Sequence, residues 1–213
     1  RQRQMCIRDR HTAVQAKTKN VDVNVAGQVS AGQNGAGLAV AFNHMNNATQ
    51  AQILGSSIKG AAHEVAVAAE NNSTTVSVAA GVGLGSSWAL AGALAINQGK
   101  DTTQAGIGAS ESKRSSLENV NRTAVDAKDS TTKVAVAGGL SGAGTAAIGG
   151  AIAYNQVGGI GYQSTEAFLN NTDILTKGDK SALRVHALDE ATLGTAAAGF
   201  GGAGSVAVQG AGA

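Results

Sequence analysis

One block, recurring at almost constant length, constrains the fold of this chain more than any other feature. It opens on Val-x-Ala, passes through a run of Gly and Ala, and closes on Asn. The copies run from Val14-Gln15-Ala16 to Val40-Ala41-Phe42-Asn43, from Val67-Ala68-Ala69 to Leu94-Ala95-Ile96-Asn97, and from Val125-Asp126-Ala127 to Ile152-Ala153-Tyr154-Asn155. A fourth opens at Val185-His186-Ala187 and is cut short. From opening Val to closing Asn the distance is 29, 30 and 30 residues. A second element, Thr-x-Ala-x-(Ile/Leu), follows each block at Thr49, Thr103 and Thr165. Measured Asn to Asn, the unit is 54 and then 58 residues, and the variation falls in polar connectors. A period of this size marks a supersecondary unit that buries its apolar face against its neighbours. The units divide as residues 12–64, 65–122, 123–182 and a truncated 183–213.

Inside the block the period is two. Val21-Asp22-Val23-Asn24-Val25, Val76-Ser77-Val78, Val134-Ala135-Val136 and Leu38-Ala39-Val40-Ala41-Phe42 alternate as strands do. Polar clusters such as Asn71-Asn72-Ser73-Thr74-Thr75 and Asp129-Ser130-Thr131-Thr132 read as the turns between them, giving about four short strands per unit. Gly138-Gly139 and Gly201-Gly202 mark bends or close backbone approach. With 30 Gly, no Pro and six aromatics, the chain cannot fill a thick core, but it can build a thin one in which sheets approach closely. The fold class read from these features is all-β, a repetitive, parallel β-helix-like solenoid with units of about 54–60 residues. A unit of that length corresponds to roughly three coils, each advancing about 4.8 Å. Equivalent asparagines Asn43, Asn97 and Asn155 would then stand about 14 Å apart, too far for a ladder, and read as strand-ending turn residues. Residues 76–99 and 134–165 carry no charge and are long enough to span a bilayer as helices, yet their Gly/Ser/Ala content and β-branched alternation favour strands. Frequent Val and Ile and a low net charge oppose disorder.

Residues 1–10, Arg-Gln-Arg-Gln-Met-Cys-Ile-Arg-Asp-Arg, resemble nothing after them. They back-translate onto an adapter used to prepare sequencing libraries, and are set aside as an artefactual segment. Without them the chain has 12 basic and 13 acidic side chains and no cysteine. The net charge of +2 for the whole sequence is thus no argument for nucleic acid or an anionic membrane as a partner. Disulfides, thiolate metal sites and cysteine nucleophiles are excluded from residues 11–213.

The succession Val-x-Ala, Gly/Ala run, Ala-x-Asn and Thr-x-Ala-x-Ile resembles the repeats of giant bacterial surface adhesins of the filamentous-haemagglutinin-like and autotransporter type. The resemblance covers residues 12–213. It implies secretion to the bacterial cell surface, a β-helical shaft, and a role in cell attachment or biofilm formation. The partners it implies are host or neighbouring cell surfaces, including their glycans or matrix. The outer membrane would be engaged only through regions outside this fragment. A β-helical passenger of a secreted enzyme, such as a polysaccharide lyase, is the alternative.

No motif makes a case for catalysis, a cofactor or a metal. Gly199-Phe200-Gly201-Gly202-Ala203-Gly204 fits G-x-G-x-x-G, but glycine-rich segments recur at the same phase in other copies, as at Gly81-Val82-Gly83-Leu84-Gly85, and a cofactor loop is needed only once. His11, His44, His63 and His186 lack ligand spacing, and Gly178-Asp179 is a lone hint of calcium. Asp189-Glu190 has no second acid placed by any pattern. Asn-x-Ser/Thr occurs at Asn47, Asn71, Asn72, Asn121 and Asn170, all expected in loops. Ice binding would need regular Thr-x-Thr rows, which are absent.

Overall fold

The computed structural model describes residues 11–109, 113–158, 163–176 and 181–213, with side chains left aside at 60–63. Gly178-Asp179 and residues 1–10 lie outside this set. The described residues are all β: β1 (His11–Leu54), β2 (Ser57–Gly108), β3 (Ser115–Ala143), β4 (Ala146–Asn155), β5 (Ser164–Leu169), β6 (Thr172–Leu175), β7 (Ala182–Ala203) and β8 (Val206–Gly212). All eight belong to one open sheet in which every pairing is parallel.

The register follows the repeat. Val14 lies opposite Val67, Val67 opposite Val125, and Val125 opposite Val185. Asn43 pairs with Asn97, and Asn97 with Asn155. Successive units are therefore direct hydrogen-bonding neighbours, one strand spacing of about 4.8 Å apart. This corrects the expectation of three coils per unit: each unit contributes a single, very long layer. It also corrects the expected four short strands, because β1 and β2 run for 44 and 52 residues. Such length is possible because backbone groups find partners in the neighbouring units and no Pro interrupts the ladders.

Each long strand doubles back on itself. A side chain added at Gly85 would run into the backbone oxygen of Trp88, one at Gly83 into that of Leu90, and one at Gly81 into that of Gly92. The outgoing run 64–85 and the returning run 88–108 thus face each other across a turn at residues 86–87. The same reversal lies near Gln33 in the first unit, where the register shifts between Gly32 and Asn34. A short third side, Ser57–Lys59 with Ser115–Glu118 and Thr172–Leu175, closes the wide end. Gly55 (φ 56°) and Asn119 (φ 58°) take the left-handed conformation at its corners, which these two residue types tolerate best.

Three zones follow along each unit. At the wide base, Val65, Val67, Val125, Ile107, Leu117 and Val120 form a core of branched aliphatic side chains. At the narrow end, here called the blade, the buried residues are almost all alanine, among them Ala41, Ala79, Ala95, Ala135 and Ala153. Between them lies a polar band. Asn71, Ser73 and Thr75, with Asp129 and Thr131, are buried in mid-strand and are not the turns their composition suggested. The glycine pairs divide: Gly139 sits against the backbone of Gly150, the close approach expected, whereas Gly138 faces open space.

Candidate functional site

The polar band is built from alternate residues of facing runs. On the outgoing side, positions 71, 73, 75 and 77 point inward; on the returning side, 97, 101 and 103 do. Stacking copies in register places polar groups of neighbouring units side by side, Asn71 beside Asp129, Ser73 beside Thr131 and Asn43 beside Asn97. This is the geometry that makes amide ladders favourable.

Asn43, Asn97 and Asn155 form such a ladder. The amide nitrogen Nδ2 of Asn43 donates to Oδ1 of Asn97 at 3.2 Å, and Nδ2 of Asn97 to Oδ1 of Asn155 at 2.8 Å. The second hydrogen of each amide crosses to the facing run: Asn43 to the Val76 carbonyl (3.0 Å), Asn97 to that of Val134 (2.7 Å), and Asn155 to that of Gly194 (2.6 Å). Val76, Val134 and Gly194 are themselves register partners. The asparagines stitch the molecule along the stack and across it, and the expectation that they end strands as turn residues is overturned for Asn43 and Asn97. The reason is the register: one layer per unit brings equivalent residues within hydrogen-bonding reach.

Two buried carboxylates sit deeper in the band. Asp101 accepts from Asn47 Nδ2, Ser73 Oγ and Thr131 Oγ1, each at 2.8 Å. Asp129 accepts from Asn71 Nδ2 and Thr103 Oγ1 at 2.9 Å, with Gln163 at 3.4 Å. The Thr131 hydroxyl lies between the two, 2.8 Å from Asp101 and 2.9 Å from Asp129, and its one proton serves one acid at a time. Lys133, also buried, donates to the Gly99 carbonyl at 3.3 Å. Burial holds the Lys133 ammonium below the ordinary lysine range, and the attraction of Asp101 only partly opposes this. Partial desolvation raises the carboxyl of Asp189, and its register neighbour Asp129 raises it further, against the hydrogen bond from Gln163.

The outer surface of the base is charged, and the charges pair between units. His11 meets Glu64 at 3.1 Å, Lys17 meets Glu70 at 2.9 Å, Lys59 meets Glu118 at 3.0 Å, and Arg184 meets Asp126 at 2.9 Å. His186 stands 3.9 Å from Asp126, and His44 contacts Asn46 at 3.1 Å. These histidines are spread along the stack, and no group of three metal-binding side chains is found among the described residues. The glycines of the G-x-G-x-x-G match serve packing: Gly199 lies against the Gly210 backbone and Gly204 against that of Gly144. The Asn-x-Ser/Thr positions fall on strands at Asn47, Asn71, Asn72 and Asn121, with Asn71 fully buried; Asn170 alone is outside a strand. The expected loop placement is corrected for those four.

Comparison with protein-family models, with curated proteins and with solved structures returned no match. No described helix could cross a membrane, and residues 76–99 lie wholly within β2.

The buried polar band is what sequence reasoning missed. The runs Asn71-Asn72-Ser73-Thr74-Thr75 and Asp129-Ser130-Thr131-Thr132 are polar at every position, so no alternation marked their inward members.

Proposed function

We propose that this chain is part of the β-solenoid shaft of a secreted or surface-exposed bacterial adhesin, of the filamentous-haemagglutinin-like or autotransporter type, serving cell attachment or biofilm formation. The observation that carries this reading is the unit-to-unit register. Backbone ladders, the asparagine ladder and the outer charge pairs all run between copies, so each copy is completed by its neighbours and the stack extends by adding copies. A rod of that kind holds a binding surface away from the cell. The polar band supports a structural role over an enzymatic one, since Asp101 and Asp129 are buried and each accepts hydrogen bonds from several neutral donors.

In-frame removal of one unit from the array of the whole protein, in cells that display it, tests the reading. Surface display should persist and the projecting rod should shorten, with attachment weakened in step as further units are deleted. Unchanged attachment after removal of the entire array would overturn it, as would cleavage of an acidic polysaccharide by the purified chain.

A further inference from the structure

The blade inverts the usual arrangement of a sheet sandwich. Its inner positions are Ala and Gly, while the large apolar side chains stand on the outside. On the returning run the outward residues form rows along the stacking direction. One row is Leu38, Gly92, Gly150 and Gly210; the row beside it is Val40, Leu94, Ile152 and Gly212. The three glycines of the first row floor a groove of about 630 Å³ that follows the stack and crosses the strands. On the other side of the glycine row the register sets Ala36, Leu90, Ile148 and Val208.

This flank is large, uncharged and half exposed. Across residues 34–42, 88–96, 146–154 and 206–212 there is no charged side chain. Nine large apolar residues here are 45–62% exposed, Trp88, Ile152 and Tyr154 among them. Together they present roughly 800 Å² or more, the area each partner contributes to a standard stable interface and more than the apolar patch an ordinary monomer shows.

We propose that this flank is an interface between two copies of the chain, the Val40–Leu94–Ile152 row of each seated in the glycine-floored groove of the other. Three observations select a second copy as the occupant. The groove and the rows beside it repeat at the spacing of the units, and a second copy carries a ridge of the same period. Ridge and groove lie side by side, so a two-fold axis parallel to the stack places each ridge in the opposing groove simultaneously, giving a self-complementary contact. The absence of charge removes the like-charge repulsion that would oppose self-pairing. The two stacks run in the same direction, as two shafts side by side. This inference rests on the register and on the exposed, uncharged flank, and does not depend on an adhesive role.

Sedimentation velocity of the full chain over a concentration series tests it. The wild type should form a dimer that does not grow further. Ile152→Lys, on the ridge, should weaken dimerisation by at least about tenfold, as loss of a buried anchor does. Gly150→Leu should do the same by filling the groove, and it leaves the chain's own packing intact because a Cβ there has only the Gly210 oxygen, 3.9 Å away, as neighbour. Val136→Lys, exposed on the opposite flank, should leave the dimer unchanged. Circular dichroism confirms that each variant retains its β signal. A monomeric wild type would overturn the proposal. So would open-ended assembly that survives Ile152→Lys, equal loss in Val136→Lys, or a monomer that floats with neutral phosphatidylcholine vesicles, which would make the flank a lipid surface.

Discussion

The base and the blade are built from the same strands, yet they are held together in opposite ways. At the base the facing runs stand apart and Val67, Ile107, Leu117 and Val125 fill the space, so stability comes from apolar volume removed from water. In the blade the runs are so close that Gly81, Gly83 and Gly85 have no room for a Cβ, and little apolar volume is enclosed. Its order comes from ladders between units. The base should therefore fail when atoms are removed, and the blade when atoms are added.

Substitutions can break that contrast. Ile107→Ala in the base should cost about 4 kcal/mol, as for other fully buried large-to-small changes, read from the guanidinium midpoint of the purified chain. Ala95→Gly in the blade should cost no more than about 1 kcal/mol; equal losses for the two would abolish the distinction. Gly81→Val should cost about 3 kcal/mol by overpacking, with amide hydrogen exchange accelerating first in residues 76–97 and the base remaining protected.

The polar band separates the two zones and has its own signature. Asn97→Ala removes the donor to the Oδ1 of Asn155 and to the Val134 carbonyl and should cost about 2 kcal/mol. The titrating groups give opposite slopes. Lys133 has a lowered pKa, so the unfolded chain binds its proton more tightly, and stability rises with pH through the interval ending at the ordinary lysine value of 10.5. Lys133→Met should flatten that rise in a denaturation series. Asp189 has a raised pKa, so the folded chain holds its proton more tightly, and stability falls as pH climbs from 3.8 through the raised value. The smallest effect belongs to the outer pairs: Lys17→Ala should shift the midpoint by less than about 0.5 kcal/mol, because both partners are well exposed and solvent screens them.

Much of this was legible in the residues. The period, the alternation and the close approach at glycine were each visible, and Val14, Val67, Val125 and Val185 lie in line as the repeat implies. The polar band was misread because local chemistry is silent about neighbours: Asn71-Asn72-Ser73-Thr74-Thr75 has the composition of a turn, and becomes strand only when the next copy supplies partners for its inward groups. The same holds for Asn43, Asn97 and Asn155, whose pairing depended on how many layers one unit makes. Length alone permits three layers or one.

The sequence by itself determined that this chain is β, repetitive and thin-cored, since Pro-free alternation of small and β-branched residues admits little else. Only the tertiary structure decided that a unit of about 54–60 residues is a single layer. Parallel register sets the distance between equivalent side chains, and that distance decides whether an asparagine caps a strand or joins a ladder. It also decided which face of the blade looks outward. An alternating strand defines two faces, and the contact of glycine with backbone, made only when the runs fold together, turned the larger side chains toward solvent.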